Sequence, residues 1–152
     1  YLKGSGAMAE GWAKVRGSWY YLNPGSGAMA KGWKNIGGTW YYLNGSGAMK
    51  TGWLKSGKTW YYFKGSGAMA EGWQKVSGTW YYLNPGSGAM KTGWLKLGKT
   101  WHYLSGSGAM RTGWQKIGGT WYYFRGSGGM VADEVITIGG KTYRFSASGA
   151  WI

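Results

Sequence analysis

Apolar and polar positions along the chain follow a repeating block rather than a continuous stripe. A Gly-Trp pair recurs with its Trp at 12, 33, 53, 73, 94 and 114, and a second Trp followed by two more ring residues falls at 19, 40, 60, 80, 101 and 121. Both series advance by 20 or 21 residues, and the two longer steps coincide with Pro-Gly insertions at Pro24 and Pro85. Between the two Trp lie short mixed stretches with Gly or a polar residue near their middle, such as Gly17 and Gly37-Gly38. This is the pattern of two short strands joined by a tight turn. A turn centred between Val15 and Arg16 sets Trp12 directly opposite Trp19, with Tyr21 on the Trp face and Tyr20 on the other. Each Gly-Ser-Gly-Ala-Met segment then reads as the loop to the next hairpin.

A fixed period of this length marks a repeat architecture. An isolated hairpin is marginal in water, so successive hairpins must bury one another's rings. The expected fold is therefore an all-β solenoid of stacked β-hairpins. Residues 1–8 read as the tail of a preceding repeat, 9–130 as six hairpin repeats and 131–152 as a degenerate capping repeat. In the cap, Gly139-Gly140, Tyr143 and Phe145 keep the frame, while Val135 and Thr142 replace the two Trp. The opening Tyr1-Leu2-Lys3 reads as a cut through a larger protein.

Composition narrows the chemistry. Gly supplies 32 of 152 residues, which fits one turn and one Gly-rich loop per unit, and aromatic residues at 19% exclude a disordered chain. The longest apolar run is far short of the roughly 20 residues of a spanning helix. There is no Cys, hence no disulfide or thiolate metal site. Glu10, Glu71, Asp133 and Glu134 are the only carboxylates, and the net charge is +14, which favours anionic partners.

Several chemistries fit poorly. Gly52–Thr59 and Gly93–Thr100 match G-x-x-x-x-G-K-[ST], but that loop must join a strand to a helix N-terminus, and here it lies within a hairpin. Glycoside hydrolysis usually needs two carboxylates across a cleft; the only neighbouring pair is Asp133 and Glu134, which point to opposite faces if they lie on a strand. His102 occupies a ring position of the repeat with no acidic or nucleophilic companion nearby. No catalytic or metal-binding set is expected. The second Tyr of each pair reads as core. The Trp pairs, two per unit, exceed what a thin solenoid can bury and leave a cleft between electron-rich faces. Such a cleft suits a quaternary ammonium, and sugar or base stacking uses similar rings.

The unit Gly-Trp-x-Lys-x-x-Gly-x-Trp-Tyr-Tyr-Leu/Phe-x-x-Gly-x-Met-x-Thr-Gly-Trp, nearly intact over residues 32–53 and 72–94, resembles the choline-binding repeat of streptococcal surface proteins and of phage and bacterial murein hydrolases. The resemblance spans the whole chain. It implies a left-handed superhelix of hairpins, with choline held between successive units by two Trp of one repeat, a Tyr of the next and a Met. Position by position, the implied choline sites are Trp12, Trp19, Tyr41 and Met49; Trp33, Trp40, Tyr61 and Met69; Trp53, Trp60, Tyr81 and Met90; Trp73, Trp80, His102 and Met110; Trp94, Trp101, Tyr122 and Met130; and Trp114, Trp121 and Tyr143, with Trp151 in the place of Met. Tyr20 and Met29 complete a further cage whose Trp pair would lie before Tyr1. A protonated His102 would repel a cation, so its site is expected to be weak, more so in acid.

The resemblance further implies a secreted, wall-associated targeting module without enzymatic activity of its own. Its ligands would be choline or phosphocholine on teichoic and lipoteichoic acids, with no cofactor. It would attach a catalytic or adhesin domain to a Gram-positive surface, or a phage lysin to its target, and terminal repeats of such modules can join homodimers. The alternatives are a glucan-binding repeat, in which the rings stack on sugars, and nucleic-acid stacking; the regular Trp pair with Met favours choline.

Overall fold

A computed structural model describes residues 3–152. All regular structure among them is β: fourteen five-residue strands forming seven two-stranded antiparallel hairpins. The strands are β1 (Gly11–Val15), β2 (Ser18–Leu22), β3 (Gly32–Ile36), β4 (Thr39–Leu43), β5 (Gly52–Ser56), β6 (Thr59–Phe63), β7 (Gly72–Val76), β8 (Thr79–Leu83), β9 (Gly93–Leu97), β10 (Thr100–Leu104), β11 (Gly113–Ile117), β12 (Thr120–Phe124), β13 (Glu134–Ile138) and β14 (Lys141–Phe145). They fall into two compact units, one of Tyr1–Glu71 with Pro85–Ala89 and one of Gly72–Asn84 with Met90–Ile152. The first holds β1–β6 and the second β7–β14. Of the expected N-terminal tail, Tyr1 and Leu2 lie outside the described residues.

The register differs from the sequence expectation. The turn is centred between Arg16 and Gly17, so Trp12 faces Tyr21, and Trp19 faces Lys14. Trp12 and Trp19 are diagonal neighbours on one face, and this pairing recurs in every Trp-bearing hairpin. The cause is turn chemistry. Arg16 and Gly17 both have positive φ, as do Gly37-Gly38 and Ser77-Gly78, which is the type I′ geometry matched to strand twist. Gly belongs at the second central position rather than after the turn. At Gly57-Lys58 and Gly98-Lys99 only the Gly has positive φ, the pattern of a type II′ turn. The two phosphate-loop look-alikes are therefore hairpin turns.

Register also decides where backbone groups point. In a two-residue hairpin, the pairs Lys14–Trp19 and Trp12–Tyr21 are the non-hydrogen-bonded ones, so their side chains lie close and their carbonyls face outward. Both carbonyls are used. Tyr42 C=O accepts from Lys50 N–H of the same repeat at 2.8 Å, and Trp19 C=O accepts from Met49 N–H of the following repeat at 2.7 Å. The second bond recurs from Met69 to Trp40, Met110 to Trp80, Met130 to Trp101 and Trp151 to Trp121, at 2.7–2.9 Å. At these five places an otherwise exposed strand edge is thus covered by the next repeat.

The core is a ladder of the residues that end each second strand: Leu22, Leu43, Phe63, Leu83, Leu104, Phe124 and Phe145, all at most 4% exposed. Each forms an isolated bridge to the Met of its own loop, or to Trp151 in the cap. In the cap, Val135 and Thr142 take the Trp positions, and Asp133, at φ 53, precedes β13 instead of lying on it. Glu134 is on β13 and forms an exposed ion pair with Arg125.

The scarce carboxylates have identifiable work. Glu10 accepts from Gly25 N–H at 2.8 Å and Glu71 from Gly86 N–H at 3.1 Å. Those amides belong to the two loops lengthened by Pro24-Gly25 and Pro85-Gly86, so each insertion is tied down by a Glu fifteen residues earlier. Phe124→Ala, which empties a fully buried ladder position, is expected to cost about 3–5 kcal/mol. Glu10→Gln leaves a weaker acceptor on a surface turn and should cost about 1 kcal/mol or less; urea denaturation followed by Trp fluorescence measures both.

Candidate functional site

The face carrying Trp12 and Trp19 shows how one cleft is assembled. The two indoles are near-perpendicular, with centroids 6.4 Å apart. Tyr21, across the strand pair, packs edge-on against Trp12 at 5.2 Å. The next hairpin brings Tyr41 against the same Trp12 at 4.8 Å. The two Tyr positions thus have separate roles: Tyr21 supports the Trp of its own hairpin, and Tyr41, like Tyr61, Tyr122 and Tyr143, reaches back to the Trp of the preceding one. Met49 is held on the other side by its N–H bond to Trp19 C=O and its bridge to Leu43. Together Trp12, Trp19, Tyr41, Met49 and Ser66 line a cavity of about 240 Å³.

The arrangement recurs. Trp33 and Trp40 are 6.4 Å apart with Tyr61 at 4.8 Å from Trp33. Trp94 and Trp101 are 6.1 Å apart with Tyr122 at 5.0 Å from Trp94. This last group, with Met130 and Ser148, lines a cavity of about 390 Å³. In the terminal cleft Trp114 meets Trp121 at 6.3 Å, Tyr143 at 4.9 Å and Trp151 at 5.7 Å. Trp53 and Trp60 pair at 6.3 Å in the first unit; Tyr81 lies on β8 and Met90 bridges Leu83 in the second. At the N-terminal end of the first unit, Tyr20 and Met29 line an apolar cavity of about 200 Å³ with Ala13, Val15 and Leu22.

A family model for the choline-binding repeat matches residues 1–32, 30–71, 70–112 and 111–152. The chain belongs to the choline-binding repeat family. Choline-binding protein F from Streptococcus pneumoniae, solved in the presence of a peptidoglycan analogue, is 44% identical over 100% of this chain and 55% of its own, with a TM-score of 0.93. CbpJ from Streptococcus pneumoniae TIGR4 is 45% identical over 97% of this chain and 49% of its own, with a TM-score of 0.88. The modular autolysin LytC from the same species is 29% identical over 100% of this chain and 44% of its own, with a TM-score of 0.58. The chain spans about half the length of these structures. No curated protein matches it.

In this choline-binding repeat chain, Trp exposure is divided. The second Trp of each pair is 37–41% exposed, whereas the first is half-buried by the two Tyr. The inner wall is therefore fixed and the outer wall meets solvent. The Met wall is fixed as well, because the second Gly of each Gly-Ser-Gly segment leaves room for it. A Cβ on Gly67 would fall 2.1 Å from Met49 Sδ, and Gly67 also has a φ of +85°. The Ser just before that Gly, Ser66 or Ser148, lines the cleft and is not among the expected site residues. Its signal lies in the spacing of 17 or 18 residues from the Met of one repeat to the Ser of the next.

His102 replaces the first Tyr in the cleft of Trp73, Trp80 and Met110. Its ring stands 5.2 Å from Trp73, edge-on as a Tyr would be, and is 9% exposed. Nδ1 is buried without a hydrogen-bond partner. Burial lowers its pKa below the ordinary 6.5, so the imidazole is a neutral ring at neutral pH. The expected repulsion of a cation is thereby confined to acid.

Two predictions follow from these packings. Gly67→Ala should displace Met49 and weaken ligand binding in the Trp12–Trp19 cleft severalfold, while Gly65→Ala, where a Cβ meets nothing within 4 Å, should not; a fluorescence titration compares them. For His102, the unfolded chain takes up a proton near pH 6.5 while the folded one resists. Stability should be flat above that pH and fall as pH drops below it, and His102→Tyr should remove that fall between pH 7.5 and 5.5 in urea midpoints.

Proposed function

We propose that this chain is a cell-wall attachment module that captures choline residues of teichoic and lipoteichoic acids in the clefts between successive hairpins. The observation that carries the reading is the cleft of Trp94, Trp101, Tyr122 and Met130: two perpendicular indoles, a phenol and a thioether around about 390 Å³, with no acid among its lining residues. A trimethylammonium group cannot donate a hydrogen bond and is cheaply desolvated, so ring faces and a polarisable sulfur suit it. Each contact is worth about 0.5–2 kcal/mol. The same roles extend to Trp12, Trp19, Tyr41 and Met49, and to the other sets that lie within one unit.

Individually weak sites on one chain gain by avidity against a polymer that presents choline many times over. The net charge of +14 opposes capture of a bare cation but favours a polymer whose phosphates accompany its cholines. The module itself is non-catalytic, acts outside the cell at a Gram-positive wall, and attaches a catalytic or adhesin domain carried elsewhere in its protein. The exposed Val135 and Thr142 of the cap are the proposed surface through which two copies associate; sedimentation of Val135→Lys against the parent chain tests this.

The chain should be retained on a quaternary-amine matrix and eluted by free choline, and should pass through dextran. Retention on dextran with no response to choline would assign the rings to sugar stacking instead. Free choline should bind weakly with little salt dependence, whereas teichoic acid should bind tightly and lose affinity as salt rises; salt-insensitive polymer binding would contradict the electrostatic part of the reading.

A further inference from the structure

The register that sets Trp12 diagonal to Trp19 also sets a lysine directly opposite five of the six second Trp: Lys14, Lys55, Lys75, Lys96 and Lys116. Their ammonium groups lie 5.6–6.0 Å from the centroids of Trp19, Trp60, Trp80, Trp101 and Trp121. None of them lines the two large clefts, so Lys14 and Lys96 rest against the outer indole from beyond the cavity. No carboxylate pairs with them among the described residues: Glu10 and Glu71 hold loop amides, and Glu134 holds Arg125.

One hairpin departs from the pattern. Opposite Trp40 stands Asn35, whose side-chain oxygen accepts from Gly38 N–H at 3.1 Å. The adjacent Lys34 does not substitute, because it faces Tyr41 in the register and its ammonium bonds Asn23 Oδ1 at 2.8 Å. The chain therefore carries an internal comparison: five outer indoles with a resident cation and one without.

A cation fixed against an indole reduces that ring's attraction for a second cation and leaves an ammonium ready for an anion. On the choline reading above, we propose that the four lysine-bearing clefts that lie within one unit, those of Trp12–Trp19, Trp73–Trp80, Trp94–Trp101 and Trp114–Trp121, are built for a phosphate ester of choline, with the ammonium of the lysine meeting the phosphate, and that the Asn35 cleft of Trp33, Trp40 and Tyr61 does not discriminate between the ester and free choline. The lysines set ligand choice rather than adding cation-binding strength. The ester is that of the wall polymer, presented along an accessible chain.

Resolved indole N–H resonances of the ¹⁵N-labelled chain, titrated with choline and separately with phosphocholine, give affinities cleft by cleft. The ratio of phosphocholine to choline affinity should be about three- to tenfold higher at the Trp94–Trp101 cleft than at the Trp33–Trp40 cleft. Asn35→Lys should raise the ratio at Trp33–Trp40 by a similar factor, Lys96→Gln should lower it at Trp94–Trp101, and both differences should shrink as salt rises. Ratios that are equal in all clefts and unmoved by either substitution overturn the inference while leaving choline binding intact. Indoles that respond to neither ligand overturn the choline reading itself. Phosphatidylcholine vesicles should not sediment the protein; co-sedimentation abolished by Lys96→Gln would reassign the ester to a lipid headgroup and overturn the wall-polymer source.

Discussion

The hydrogen bond from a Met N–H to the Trp carbonyl of the preceding hairpin is the constraint on which the rest depends. A two-stranded hairpin of five-residue strands cannot hold itself in water, and its second strand presents outward carbonyls as an open edge. Closing that edge with the next repeat joins units that are otherwise independent sheets. It also places the ligand-facing sulfur: Met49 is bonded to Trp19 behind it and bridged to Leu43 beside it. The stacking interaction and the site wall are one contact, so the cleft cannot loosen without loosening the fold.

The same parity argument links backbone to rings. Residues of non-hydrogen-bonded pairs share one face and turn their carbonyls outward. Trp12, Lys14, Trp19 and Tyr21 are such residues, which puts both indoles, a supporting phenol and a lysine on the face that the next repeat covers. A slip of one residue would send the rings to the other face and the carbonyls inward. The paired positive φ values at Arg16-Gly17 and the single one at Gly57 are what prevent that slip.

Much of this was legible in the chain. The repeat period is legible from the Trp positions, and the resemblance to the choline-binding repeat implies the set of Trp12, Trp19, Tyr41 and Met49, which the structure gathers around one cavity. The register was misplaced because Gly17 was read as following the turn, when a type I′ turn takes Gly at its second central position. The burial of the ladder from Leu22 to Phe145 is not legible in a single repeat, since nothing local distinguishes Leu43 from a strand end; Phe63 and Phe124 pack against Trp33 and Trp94 of the preceding repeat. Ser66 escaped notice because it reaches the cleft from a repeat later. The roles of Glu10 and Glu71 were likewise hidden, although each stands fifteen residues before a lengthened loop. His102 shows the converse: its position was plain, but only burial determines that it is a neutral ring at neutral pH.

The central claim is that the space among Trp12, Trp19, Tyr41 and Met49, and its counterpart at Trp94, Trp101, Tyr122 and Met130, is a seat for a quaternary ammonium. A crystal structure of the chain soaked with choline tests it most directly. The account predicts a trimethylammonium group in each cleft, in contact with both indole faces and the phenol, with the hydroxyethyl arm directed to solvent. Clefts left empty at saturating choline, or choline bound only away from the Trp pairs, would contradict it.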